Sequence, residues 1–448
     1  LFPYTTLFRS ANIKITRIMN KHICTILSML MLGQSVNILA QNYDSYNLGS
    51  YKTPDIKRSS LDFQFYSNGE FATNQLNKDA YLLNGMANTE FRNYVNNRRF
   101  IGEQVFDFGI QGNSASSGTT DNDKLRSFSL NTSYSNSSKF YNSDKSFWKV
   151  GGNASLMFSN YKHNDASANK TLQFNIAPQL GIGWGRIEPV QDARQAVYIL
   201  DELSKKGVIT THLSDDEVNR FAQVISSVKN KRFLDSRLHL IDEVSKVDSF
   251  LVYNGYVQES GAKYFTTLYD YWMYGCSFSR DAGSEISAEI IPQYSYSEQY
   301  GYNTWTDNKG VSAKISYQYE KPVNLYWQRS AFASVTANYN HYKLHNEFDN
   351  TYDSRWGNIA AGYSFGYYPN SRTNLNLGIE ESLLLNDEDK IRYRSLTNLA
   401  LSAYYYISPQ FRLLGNASLT FDKTNSTGID YSKKWKGNYS LTLTYSFF

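Results

Sequence analysis

The chain has 448 residues, with 45 Lys and Arg against 41 Asp and Glu, a formal net charge of +4 and a pI near 8.6, a balance too mild for a nucleic-acid binder. Mean hydropathy is −0.51 and no long apolar segment follows residue 40, which excludes a membrane protein built of helices. It does not exclude one built of strands, where wet and greasy residues alternate and cancel.

Residues 1–18 have no structural logic, and the first ten resemble a translated sequencing adapter, so this stretch is set aside as a non-native leader. From Met19, Lys21 and His22 form a basic start, Ile23 to Leu32 an apolar run of signal-peptide length, and Ile38-Leu39-Ala40 a cleavage site. Segment 19–40 is thus expected to export the chain. Cys24 falls in that leader, so Cys276 is the one mature cysteine; no internal disulfide, metal spacing or cofactor is expected. Residues 41–59 are polar and aperiodic and are expected to form a periplasmic N-terminal tail.

Residues 60–185 alternate with the two-residue period of strands. Six are expected: 60–72, 84–96, 100–112 and 124–136, then one with Trp148, Val150, Ala154, Leu156 and Phe158 facing one way, then one with Leu172, Phe174, Ile176, Leu180, Ile182 and Trp184 doing so. From 186 to 282 the period becomes helical. Ala193, Ala196, Val197, Leu200 and Leu203 share one face, and Gly207 makes a C-terminal cap. Ser214 and Glu217 form a capping box ahead of Val218, Phe221, Ala222, Ile225 and Val228. A third helix from about Asp235 carries Leu238, Ile241, Val244 and Val247 inward, whereas Tyr264–Tyr274 could be a helix or an aromatic strand.

Strands resume over 283–448, at 284–298, 310–320, 329–343, 354–368, 372–386, 394–407, 410–423 and 437–448. Glu381 falls on an apolar face, which calls for a bulge or a place near a strand end. In the last strand Tyr439, Leu441, Leu443, Tyr445 and Phe447 oppose Asn438, Ser440, Thr442, Thr444 and Ser446, and the chain stops at Phe448. That ending resembles the closing strand of Gram-negative outer-membrane β-barrels, and the Asn- and Tyr-rich composition with GRIEPVQDARQAVYILDEL resembles porin-like barrels of Bacteroidetes type. The resemblance implies a location in the cell outer membrane, contact with its lipid, and engagement of the barrel assembly machinery by the C-terminal strand.

The expected fold is therefore all-β: a closed antiparallel transmembrane β-barrel of about fourteen strands, an even number, with a helical insert between strands six and seven. Ser408-Pro409 and Pro369–Arg372 would be short periplasmic turns, and 344–353, 386–394 and 424–436 long outer loops. Segments 137–146 and 321–328 are longer than that rule wants. A Tyr264–Tyr274 strand would move the insert to the other side.

His163, His212, His239, His341 and His345 have no nucleophile or acid placed beside them by a motif, so no catalytic residue and no enzyme is expected. The acidic stretches Glu347, Asp349, Asp353 and Asp387-Glu388-Asp389 lack calcium-loop spacing and read as solvated loops. Lys149, Glu289, Lys314, Glu320, Glu380 and Arg412 fall on the polar faces of their strands and would line a hydrated lumen, or pair with one another and fill it. In the insert, Arg194, Arg232, Asp235, Arg237, Asp242 and Glu243 are candidates for docking a periplasmic partner through 191–255. Two functions follow: a porin-like channel for small hydrophilic solutes or oligosaccharides, or a non-conducting anchor whose helices recruit a partner in surface-polymer export, secretion or envelope assembly.

Overall fold

The computed structural model describes residue 43 and residues 45–73, 79–116, 124–164, 168–230, 239–257, 261–274, 279–300, 304–346, 349–388, 390–406, 411–426 and 429–445. The expected leader and signal peptide, Arg232, Asp235, Arg237, Leu238, Cys276, Glu347, Asp389, Ser408, Pro409, Phe447 and Phe448 lie outside the described residues.

Six strands come first: β1 (Ile56–Thr73), β2 (Asp79–Asn96), β3 (Phe100–Ser116), β4 (Lys124–Tyr141), β5 (Ser146–His163) and β6 (Asn169–Pro189). Four helices follow: α1 (Gln191–Lys205), α2 (Asp215–Lys229), α3 (Leu240–Tyr253) and α4 (Ala262–Tyr274). Eight strands complete the chain: β7 (Asp281–Gln299), β8 (Thr304–Pro322), β9 (Trp327–His345), β10 (Asn350–Asn370), β11 (Thr373–Glu388), β12 (Lys390–Tyr406), β13 (Phe411–Ser426) and β14 (Ile429–Tyr445). All fourteen join in sequence order, each antiparallel to its neighbours, with the helices inserted between β6 and β7. The ladders run unbroken from β1 to β14; a β14–β1 ladder is not among the described pairings. The YFTTLYDYWMY stretch is helix α4 and adds no strand, so the count stays even.

The burial pattern is the reverse of a soluble sheet. On β7, Ile286 and Ile290 are 46% and 58% exposed, while Glu285, Ser287 and Glu289, which alternate with them, are buried. The same inversion recurs on β8, where Val311, Ile315 and Tyr317 are exposed and Ser312 is buried. Burying polar groups while leaving branched aliphatics bare is unfavourable in water, and it is the arrangement of a wall solvated by lipid outside and by water within. Aromatic residues sit on the outward register near the helical end: Trp148 and Trp184 are exposed, and Trp327 packs against Phe365 and Tyr367 at 4.6 and 4.3 Å. Together these features are those of an outer-membrane β-barrel wall.

The strands are longer than their sequence patterns suggest. β9–β10, β11–β12 and β13–β14 run through most of 344–353, 386–394 and 424–436, so the expected long outer loops are instead strand. Where a strand stands clear of lipid it needs no apolar face, and its polar residues then look like loop. Segments 137–146 and 321–328 shorten for the same reason, to turns around 142–145 and 323–326. Glu381 causes no bulge: β11 keeps its register on both sides there, and the carboxylate accepts hydrogen bonds from Ser395 Oγ at 2.8 Å and from Thr397 Oγ1.

The hydrophobic core lies outside the sheet, in the helices. Every inward residue expected on α1 and α2 is buried, and Ser214 and Glu217 form the reciprocal capping box. Gly207, at φ +69°, ends α1 in the left-handed conformation that glycine adopts without strain. On α3, Val244 and Val247 are inward but Ile241 is 78% exposed, contrary to expectation. The tail is also different from its polar appearance: Tyr43, Tyr46, Leu48 and Tyr51 are buried in the helical core. Tyr46 Oη donates to Asn219 Oδ1 at 2.7 Å, Tyr51 Oη meets Ser226 Oγ at 3.1 Å, and Leu213 N donates to Tyr43 Oη at 3.3 Å. Tail and insert thus form one body.

Candidate functional site

Cross-strand register decides what faces the interior. Lys149 of β5 pairs with Gly181 of β6, Gly181 with Glu289 of β7, and Glu289 with Lys314 of β8. Because position 181 carries no side chain, Lys149 reaches over it and places Nζ 2.6 Å from Glu289 Oε1. Ser287 Oγ donates to the same carboxylate at 2.8 Å, and Gln179 Nε2 donates to its other oxygen. One turn of the ladder nearer the helices, Lys139 of β4 reaches Glu285 of β7 at 2.6 Å, across two intervening strands. A sheet whose β4 and β7 side chains meet is strongly concave on this face. These groups form a largely buried, paired charge network on the interior register.

All six residues expected to line the lumen lie on this register, but they are not one site. Lys149 and Glu289 belong to the network just described, and Lys314 stands opposite Glu289 in the β7–β8 ladder. Glu320 Oε2 accepts from Gln328 Nε2 at 3.0 Å and Ser330 Oγ at 2.5 Å, and shares a recess with Glu380. Arg412 stands apart, its guanidinium 5.7 Å from the ring centre of Tyr406. Sequence reasoning misses this Lys139–Glu285 pair: an expected β4 over 124–136 ends before Lys139, and Glu285, although inside the expected strand 284–298, has no visible partner without it.

The packing around Gly181 is testable. A Cβ there would sit 2.7 Å from Ala288 O and 2.9 Å from Glu289 Cγ, so Gly181→Ala should cost about 1–3 kcal/mol through overpacking and loosening of the ion pair. Gly85→Ala, where a Cβ would meet nothing within 4 Å, is the control. Urea midpoints of refolding into lipid vesicles measure both.

The helical body lies across one end of the sheet. Asp192 at the start of α1 binds Arg58 of β1 at 3.1 Å. Arg280 donates to Leu325 O, to Asn324 O and Trp327 O at 2.8 Å each, and to Gln328 Oε1 at 3.1 Å. Tyr198 Oη donates to Tyr368 O at 3.2 Å, and Arg372 of the β10–β11 turn binds Asp270 of α4 at 2.7 Å. Anchors spread from β1 to β11 hold a cap over the mouth. Gln328 and Tyr368, on the interior register at this end, are buried beneath it.

This placement overturns part of the docking expectation. Arg194 is fully buried, its guanidinium 5.3 Å from the Tyr368 ring, because the strand ends cover the polar face of α1. Glu243 is buried as well, accepting from Trp272 Nε1 at 3.0 Å. Neither can reach a partner; Asp242 is exposed. Asp192 and Arg280, which do fasten the cap, carry no local sequence signal beyond charge inside an apolar helix and just before a strand.

The histidines sit in ordinary pairings. His341 Nδ1 lies 2.8 Å from Asp353, His345 Nδ1 lies 2.5 Å from Asp349, and the His212 ring packs on Tyr43 at 4.5 Å. Among the described residues, no group of three His, Cys, Asp or Glu is placed to hold a metal ion.

No protein-family model matches the sequence, nor does any curated protein. Among solved structures, the chain is similar to a mutant of the TodX monoaromatic hydrocarbon channel, at 7% identity and a TM-score of 0.31, covering 90% of this chain and 92% of that one. It is similar to the alcaligin outer-membrane receptor FauA of Bordetella pertussis at 8% identity and 0.35, covering 87% and 64%. For OccD3 of Pseudomonas aeruginosa the figures are 9% and 0.23, covering 92% and 97%. Superpositions this loose leave the functional argument to the chain's own residues.

Proposed function

We propose that the chain forms a water-filled passage through the outer membrane for small hydrophilic solutes, oligosaccharides among them, with the helices and tail as a periplasmic cap. The observation that carries this is the inverted wall: bare aliphatics outside, and inside a lining of charge, serine and asparagine around an open recess. Part of that lining is paired, as in Lys149–Glu289 and Lys139–Glu285, and the open recess beside Glu320 and Glu380 is what favours a passage over a filled interior. Closure by β1 against β14 is part of the proposal, as is recognition of the β14 edge by the assembly machinery.

Single-channel recording in planar bilayers tests it. The full chain should give ohmic openings, and Arg412→Glu, a change of two charges at the mouth, should shift the reversal potential in a salt gradient towards cation preference. Silence from the full chain and from a variant with a loosened cap would overturn the reading. The anchor alternative is favoured by one feature, the exposed stripe Phe265, Tyr269 and Met273 on α4. In that case Phe265→Ser with Met273→Ser would abolish envelope function and leave conductance at zero throughout.

A further inference from the structure

We infer that the recess between β8 and β12 is a binding site for a small hydroxylated organic cation, such as a protonated amino sugar, on its way through the lumen. The site deepens the channel reading and rests on it. It is built from two adjacent cross-strand rows on the interior register. One row runs Gln318, Phe332, Gly362, Glu380, Asn398. The next runs Glu320, Ser330, Ser364, Gly378, Ala400. Beyond Glu320 the second row holds nothing larger than serine, and this leaves a hollow of about 410 Å³, within the range of small-molecule sites.

Three properties of the hollow choose its ligand. Two carboxylates line it and no Lys or Arg does, so it repels anions. Glu320 is fixed in place by Gln328 and Ser330, while Glu380, directly beside Gly362, is exposed to the lumen. An aromatic ring completes it: Phe332 lies over Gly362, where any Cβ would collide with the ring, and is 37% exposed. A partly exposed aromatic ring beside an exposed carboxylate suits an ammonium or the apolar face of a sugar ring. Gln318, Ser330, Ser364 and Asn398 offer hydroxyl partners around it. A divalent cation fits less well, because one carboxylate already accepts two hydrogen bonds and the ring supplies no ligand.

Isothermal titration of the full chain in detergent with glucosamine and with N-acetylglucosamine, which lacks the charge, tests the site. Glucosamine should bind about tenfold more tightly, the worth of one charge-assisted hydrogen bond. Glu380→Gln should erase that preference, and Phe332→Leu should weaken glucosamine several-fold, with each variant checked for native strand content by circular dichroism. Equal binding of the two sugars, no saturable binding of glucosamine, or a preference untouched by Glu380→Gln would overturn the site. A barrel that conducts without preferring glucosamine refutes the site alone. Glucosamine binding in a barrel that never conducts refutes the passage and leaves the site standing.

Discussion

Asp192→Ala is expected to release the helical cap, at a cost of about 3–5 kcal/mol, the range for breaking a buried ion pair from one side. Its carboxylate binds Lys229 Nζ at 2.6 Å and Arg58 Nη2 at 3.1 Å and accepts from Ser226 Oγ; the Asp192 and Lys229 side chains are each only 6% exposed. Removing it strands the Lys229 ammonium in the core and cuts the link between α1 and β1. It also removes a negative charge from the first turn of α1, where the helix dipole favours one. Limited proteolysis should then cut the insert while the strands resist, and the open fraction in bilayers should rise. A cap as resistant as the native one would contradict this.

The same residue sets an acid limit. Burial alone would raise the Asp192 pKa, but Lys229 and Arg58, with the hydrogen bonds from Lys229 and Ser226, hold it below its ordinary 3.8. A carboxylate depressed in the folded state contributes stability that is fully present above its unfolded pKa and is lost as pH falls through the folded value. The cap should therefore hold steady between about pH 5 and 8 and loosen only below about pH 4. In Asp192→Asn that acid limb should vanish.

Arg280→Ala is expected to do comparable damage at the other side of the mouth. Arg280, 1% exposed, donates to Asn324 O and Leu325 O of the β8–β9 turn and to Trp327 O and Gln328 Oε1 at the start of β9, and its guanidinium lies 5.0 Å from the Tyr368 ring centre. Burial, with Arg194 facing it, pulls its pKa down to about 10, so it keeps its proton at neutral pH. Truncation takes the donor from Asn324 O, Leu325 O and Gln328 Oε1, while Trp327 O keeps Val323 N, for a loss of roughly 3–5 kcal/mol. Hydrogen exchange should accelerate around 324–328, and Arg280→Lys should restore only part of the protection, because a point charge cannot occupy a forked set of acceptors. Unchanged exchange in Arg280→Ala would show that the turn holds itself.

The wall was legible in the sequence because lipid enforces a strict two-residue alternation, visible in Val311 to Tyr319 or Leu399 to Tyr405. Helices α1 and α2 were legible for the matching reason, a greasy stripe and a capping box. What escaped depends on contacts between distant parts. Nothing near Arg194 reveals that strand ends will cover its side of α1. The tail tyrosines follow no period because an extended chain packs along helices wherever grooves fall, so 41–59 looks merely polar. Lys139 and Glu285 meet only because the sheet curves, and curvature is not written in either strand. Phe332 did leave a trace: it is an aromatic residue out of phase with Ala331, Ala333 and Val335, standing among serines and asparagines on the wet face. Parity alone puts the six charges on one shared register, but it does not say which of them pair.

The account depends on lipid outside and water inside one continuous wall, and spin-label accessibility along β8 measures that directly. Labels placed singly from Val311 to Tyr319 in vesicle-reconstituted protein should collide with oxygen at 311, 313, 315, 317 and 319, and with a water-soluble nickel chelate at the positions between. A uniform response from both sets, or nickel access at the odd positions, would contradict it.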